Sequence, residues 1–159
     1  MDAAKKVIGI DCSSKRIDVV ILDGEGKIIN TASVDSDKKD MDARLIDLGD
    51  GLDEKLALAL VFGDGFVAFV ENPIYVNNIK ATVGISQVVG VTKYILQSRF
   101  GVETFGVDNR SWKKGVLANG RADKTKIMSF AKAKWGEAIV SQDIADAATL
   151  ALWGLMRIN

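Results

Sequence analysis

The apolar positions of the chain fall into short continuous runs and longer helical repeats. Continuous runs predict five β-strands, at residues 7–10, 17–23, 27–34, 66–71 and 102–107. Apolar residues near helical spacing predict helices at residues 41–60, 77–100, 110–117, 124–135 and 142–156. Because the first three strands are joined by very short turns, they are expected to form an antiparallel meander. This order is typical of an α/β fold, with a mixed sheet and helices on both faces.

Glycines mark two of the predicted helices. The helix at residues 41–60 contains Gly49 and Gly51, and we expect an interruption there because glycine weakens helices. In the helix at residues 77–100, Gly84 and Gly90 suggest close packing against another backbone. The expected buried stripe of that helix consists of Val83, Val88, Val91, Tyr94 and Ile95.

Four carboxylates stand at the ends of predicted elements. Asp11 follows the first apolar strand and Glu71 ends the fourth, while Asp143 and Asp146 share one face near the start of the last helix. Chemistry gathers at strand ends in open α/β sheets, so we expect the four acids to converge. For each residue taken singly there is a simpler alternative. Asp11 would then merely cap a turn, and Asp143 would merely be a partner for the helix dipole.

Converging acids without a basic partner predict a bound cation, because their mutual repulsion would otherwise be strong. The chain has no histidine, which excludes histidine general bases and histidine-ligated zinc. Oxygen ligands favour Mg²⁺, with Mn²⁺ as a substitute, and two ions roughly 3.5–4 Å apart would suit phosphodiester displacement. The single cysteine, Cys12, is expected to be a small buried hydrophobe, and its use fits a reducing compartment such as the cytoplasm.

Charge is distributed unevenly although the net charge is zero. Residues 1–72 hold 9 Lys/Arg and 15 Asp/Glu, residues 73–140 hold 11 and 4, and residues 141–159 hold 1 and 2. The basic middle indicates a nucleic-acid partner, and the alternative is that these charges only solvate helix faces. The three tryptophans, Trp112, Trp135 and Trp153, are expected in the core rather than on nucleic-acid bases.

The chain resembles the RuvC-type Holliday junction resolvases of the RNase H-like superfamily, from about residue 7 to residue 155. Residues 8–14 are similar to the first strand of the family, and Val70-Glu71 matches its strand-end glutamate. Residues 83–90 resemble the interface helix, and residues 144–151 are similar to the final Asp-Ala-Ala-Asp-Ala-Leu-Ala motif. The Pro-Gly that usually follows the first aspartate is Cys12-Ser13 here. The compact length and the divergent sequence suggest a phage or viral member.

The resemblance implies a single nuclease domain over residues 1–159, with an RNase H-like five-stranded mixed sheet and helices on both faces. It also implies a homodimer that resolves four-way DNA junctions, each protomer hydrolysing one strand to a 5′-phosphate and a 3′-hydroxyl. Asp11, Glu71, Asp143 and Asp146 would be catalytic and would hold two Mg²⁺ ions, or Mn²⁺ as the substitute. Other possibilities are an RNase H-fold nuclease for RNA–DNA hybrids or branched DNA, and a junction-binding scaffold that does not cleave.

Basic and aromatic residues of the middle segment are expected to contact DNA. By the resemblance, Lys113 and Lys124 lie near lysines that help cleavage, and Lys124 is the better match. Tyr75 lies near an aromatic that stacks on a junction base, with a buried or interface tyrosine as the alternative. The expected DNA-binding residues are Tyr75, Arg110, Lys113, Lys114, Arg121, Lys124 and Lys126.

Overall fold

Five strands form one mixed sheet in the structure, a computed structural model that describes residues 5–61, 63–75 and 77–159. The strands are β1 (Lys6–Cys12), β2 (Arg16–Leu22), β3 (Ile28–Asp35), β4 (Phe66–Glu71) and β5 (Glu103–Val107). Their order across the sheet is β3-β2-β1-β4-β5. β1 and β2, and β2 and β3, pair antiparallel, whereas β1 and β4, and β4 and β5, pair parallel. The predicted mixed sheet with its meander is thereby confirmed.

Five α-helices cover the sheet in the described part of the chain. They are α1 (Met41–Leu60), α2 (Ile79–Tyr94), α3 (Asn109–Leu117), α4 (Lys124–Trp135) and α5 (Gln142–Ile158). A π-helical turn, Ile95–Arg99, extends α2, and a 3₁₀ turn, Gly136–Ala138, follows α4. Each α-helix begins after an Asp, Asn or Ser whose side chain accepts a hydrogen bond from a backbone N–H of the first turn.

Two hydrophobic clusters occupy the two faces of the sheet. Val7 of β1 and Val20 of β2 belong to the cluster under α3, α4 and α5. Ile8 and Ile10 of β1 belong to the cluster under α1 and α2. Because both faces of the central strands are buried, these strands are continuously apolar instead of alternating with polar residues. Trp112, Trp135 and Trp153 all contribute to the first cluster, as expected.

The predicted interruption of α1 is wrong. The helix is continuous from Met41 to Leu60, and Gly49 and Gly51 lie within it. A Cβ on Gly51 would lie 2.5 Å from Cγ1 of Val34 on β3. The glycine therefore permits close packing of the helix on the sheet, and this packing offsets its weak helix propensity.

The predicted buried stripe of α2 is partly wrong. Val88 is 1% exposed and Ile95 is buried, but Val83 is 50% and Tyr94 is 68% exposed. Only some of the apolar residues of this helix pack on the sheet. The others form an apolar outer face that is exposed in the protomer. Gly84 is buried beside Ser14. At Gly90, no atom from another element of the described chain lies within 4 Å of where a Cβ would stand.

Candidate active site

Three of the four predicted acids come together where β1 ends and α5 begins. One carboxylate oxygen from each of Asp11, Asp143 and Asp146 lies within 4.8 Å of the other two. Asp11 is near the end of β1, and Asp143 lies in the first turn of α5. Glu71 ends β4, the parallel neighbour of β1, and its charge raises the pKa of both Asp11 and Asp146. The four carboxylates thus form one electrostatic site, with Glu71 beside the cluster of three.

A glycine in β1 brings α5 close to the sheet. A Cβ on Gly9 would lie 2.1 Å from the carbonyl oxygen of Ala147 and 2.7 Å from the amide nitrogen of Ala151. Only a residue without a side chain permits this approach. The backbone of α5 therefore lies directly on β1, which places Asp143 and Asp146 next to Asp11.

Burial and mutual repulsion disfavour the ionised forms of the clustered carboxyl groups. The pKa of Asp11 is raised well above its usual value, first by burial and then by the charges of Glu71, Asp146 and Asp143. Burial is also the main cause that raises the pKa of Asp146 to about 6, although a hydrogen bond from Gln142 acts in the opposite direction. The donor set consists of carboxylate oxygens only, which is the chemistry that Mg²⁺ and Mn²⁺ prefer. These residues fit a divalent cation.

Glu71 is oriented by two donors from α3. Trp112 Nε1 donates to Glu71 Oε2 at 2.6 Å, and Asn109 Nδ2 donates to the same oxygen at 3.1 Å. Both hydrogen bonds lower the pKa of Glu71, which burial raises overall. Among the described residues, none donates to Oε1, so that oxygen is available to a cation. Sequence reasoning placed Trp112 in the core correctly but missed this hydrogen bond, which depends on the packing of α3 against the end of β4.

A fifth carboxylate and an arginine complete the site, and the sequence interpretation missed both. Asp18 on β2 is 2% exposed and is the cross-strand partner of Asp11. Arg16 Nε lies 2.8 Å from Asp18 Oδ2 and 3.8 Å from Asp143 Oδ2. The expectation that the acids lack a basic partner is therefore wrong. The available signal was a lone charged residue, Asp18, within the apolar run of β2.

Of the two lysines named from the resemblance, Lys113 acts electrostatically on the acids. Its charge lowers the pKa of Glu71 and of Asp146, and its Nζ lies 5.5 Å from the ring centroid of Trp112. Lys124 is the exposed first residue of α4. Its role in cleavage stays a prediction.

The other residues expected at DNA lie on the surface. Tyr75 is 72% exposed, so a buried tyrosine is excluded within the protomer. Arg110 and Lys114 of α3, Arg121 of the following loop and Lys126 of α4 are all exposed. Cys12 is half-buried and packs against the cluster under α1 and α2, so the expected buried hydrophobe is confirmed in part. Burial raises the pKa of its thiol to about 12.

Comparisons with known proteins agree with this geometry. The chain is 26% identical over 160 residues to the crossover junction endodeoxyribonuclease RuvC from Synechocystis sp., covering 97% of this chain and 93% of that protein. The resemblance to RuvC is confirmed. No protein-family model matches the chain.

Solved structures confirm the RuvC-like fold. Thermus thermophilus RuvC in complex with a Holliday junction substrate superimposes with a TM-score of 0.76 at 16% identity, covering 94% of this chain and 92% of that one. The yeast mitochondrial Holliday junction resolvase Ydc2 superimposes with a TM-score of 0.59 at 15% identity, covering 96% of this chain and 80% of that one. In the described part of this chain, no helix is both long and apolar enough to cross a membrane.

Proposed function

We propose that this chain is a metal-dependent endonuclease that resolves four-way DNA junctions. The observation that carries the proposal is the cluster of Asp11, Asp143 and Asp146, whose oxygens lie within 4.8 Å of one another in a RuvC-like fold. Its relatives support the substrate class, since one is named a crossover junction endodeoxyribonuclease and another is bound to a Holliday junction. The acidic cluster favours cleavage over a scaffold that only binds junctions.

Asp11, Glu71, Asp143 and Asp146 would hold two Mg²⁺ ions, with Mn²⁺ as a substitute. Bound divalent ions would supply stabilisation of the negative charge that develops on the attacking and leaving oxygens, which suits products with a 5′-phosphate and a 3′-hydroxyl. Trp112 orients Glu71 through its indole N–H. Lys113, on the same helix, is suited to stabilise charge on the scissile phosphate.

The basic surface of α3 and α4 would bind the DNA backbone, because phosphate contacts supply most of the affinity and little sequence information. The residues proposed for this role are Arg110, Lys113, Lys114, Arg121, Lys124 and Lys126. Tyr75 is exposed and able to stack on a base of an opened junction.

A homodimer is part of the proposal, because two symmetric nicks in a two-fold junction require two identical sites. The apolar outer face of α2 is the proposed interface, with Ile79 73%, Val83 50% and Tyr94 68% exposed in the protomer. Val88, on the same helix, belongs to the core of the protomer. A substitution at Val88 would therefore disturb folding before it reported on assembly.

Cleavage of a mobile four-way junction, a linear duplex and an RNA–DNA hybrid would test the proposal, each with Mg²⁺ and with EDTA. We expect paired nicks in the junction only, with Mg²⁺ only. Asp146→Asn should abolish nicking while junction binding persists, because binding depends on the basic surface. Cleavage of the hybrid in preference to the junction, or unchanged nicking by Asp146→Asn, would contradict the assignment.

A further inference from the structure

Arg16 lies at the centre of a charge network that joins the sheet to α5. Its Nε and Nη2 donate to both oxygens of Asp18 at 2.8 to 3.1 Å. Its Nη1 donates to both oxygens of Asp35 at 3.0 and 3.1 Å. The third carboxylate is Asp143, whose Oδ2 lies 3.8 Å from Nε. One guanidinium thus faces three acids from three different elements.

The strand register fixes this guanidinium in place. Arg16 and Asp18 are two residues apart on β2, so their side chains project from the same face, and Arg16 is the cross-strand partner of Asp35 on β3. Ser33 Oγ donates to Asp18 Oδ1 at 2.5 Å, which holds the buried acid from the other side. Arg16 is therefore anchored on the sheet by two forked pairs, whereas its contact with Asp143 is longer and made to a separate element.

We infer that Arg16 is a positioning residue that holds Asp143 towards the acidic cluster and competes with the bound cation for that carboxylate. The inference rests on the proposed function, since it assumes that Asp143 is a metal ligand. A positive charge fixed beside a ligand weakens the attraction of the site for a cation. The same charge orients the carboxylate, so its loss leaves Asp143 with more freedom on the first turn of α5.

These two effects predict that Arg16→Gln binds the metal more tightly but nicks the junction more slowly. The Mn²⁺ or Mg²⁺ concentration that half-saturates the site should fall about threefold, the size expected of one partly exposed ion pair. The rate of junction nicking at saturating metal should fall, because Asp143 is less well oriented. A merely structural role would weaken metal binding and lower the rate together.

Metal binding should be measured on the full chain by calorimetric titration with Mn²⁺ and by the rise of the melting temperature with Mn²⁺ concentration. Arg16→Lys keeps the charge and loses the fork, so its metal affinity should stay at the wild-type value while its nicking rate falls less than that of Arg16→Gln. A metal affinity that is unchanged or weaker in Arg16→Gln would overturn the inference.

A second variant tests the inference without removing Arg16, in case that substitution prevents folding. Asp35 is exposed, so Asp35→Asn should fold, and it leaves the charge of Arg16 less neutralised. We expect the half-saturating Mn²⁺ concentration to rise in Asp35→Asn and to stay unchanged in Asp37→Asn. Asp37→Asn loses the same charge two residues further along the chain and is the matched control. Equal effects in these two variants would overturn the inference.

The wild-type protein separates failure of the inference from failure of the proposed function. Wild-type chain that neither binds Mn²⁺ nor nicks junctions would overturn both. If the wild-type chain does both but its metal affinity is unchanged in Arg16→Gln and in Asp35→Asn, only the role of Arg16 is overturned.

Discussion

Gly9→Ala should move the acids of α5 away from Asp11 on β1. The new Cβ would start 2.1 Å from the carbonyl oxygen of Ala147, a distance that folded proteins do not tolerate. Helix α5 would have to retreat from β1 by about 1 Å to reach even a tight contact. Asp143 and Asp146 would move with the helix, whereas Asp11 would stay on the strand.

The expected size of the effect follows from overpacking and from misplacement. Overpacking in a well-packed core costs about 1–3 kcal/mol of unfolding free energy. For a chain of this length, each 1 kcal/mol lowers the melting temperature by about 2–4 °C. A misplacement of about 1 Å at reacting groups can cost about 10²-fold in rate. Thermal unfolding and the Mg²⁺-dependent nicking rate of a four-way junction measure the two effects separately.

Gly90→Ala is the matched control for the same chemical change. Gly90 lies inside α2 with open space where a Cβ would stand, so the variant should gain up to about 1 kcal/mol from helix propensity. If Gly90→Ala lost stability because the new Cβ disturbed contact with a second protomer, that loss would depend on protein concentration. The loss of stability in Gly9→Ala would not. If Gly9→Ala were destabilised but nicked at the wild-type rate, the spacing between β1 and α5 would not position the site.

Three further predictions concern the site and the dimer. Trp112→Phe removes the N–H that Glu71 accepts at 2.6 Å, so it should cost about 1.5–3 kcal/mol of unfolding free energy and slow nicking; wild-type nicking would contradict this role. The pKa of Asp146 is raised to about 6 in the folded chain, so without metal its ionised form opposes folding at neutral pH, and this effect disappears as the pH falls towards 4. Asp146→Asn should therefore exceed the wild type in melting temperature by more at pH 7.5 than at pH 4.5, and an equal difference at both would refute the shift. Val83→Glu places a charge on the outer face of α2 and should give a monomer in sedimentation; a dimer that persists would place the interface elsewhere.

The elements could be predicted because local patterns determine them. Both faces of β1 are covered, so its sequence is continuously apolar up to Asp11, and Ser141 marks the start of α5 through its side-chain cap. The convergence of the acids followed from topology, since β1 and β4 are parallel neighbours.

Interactions between distant elements were not predictable from the same patterns. The hydrogen bond from Trp112 to Glu71 joins residues 41 positions apart and depends on how α3 packs. The role of Arg16 requires the register between β2 and β3 as well as the approach of α5. Gly51 weakens a helix locally but permits its packing on Val34, a benefit that only the tertiary structure reveals.

Two of the four catalytic candidates are contributed by α5, which also covers β1 and β2. During synthesis, a nascent chain that has emerged only as far as residue 141 carries Asp11, Asp18 and Glu71 but lacks Asp143 and Asp146. The central strands of such a chain also lack their cover on one face. Under the proposed function, such a chain would not cleave DNA before α5 docks, so folding would precede the onset of activity.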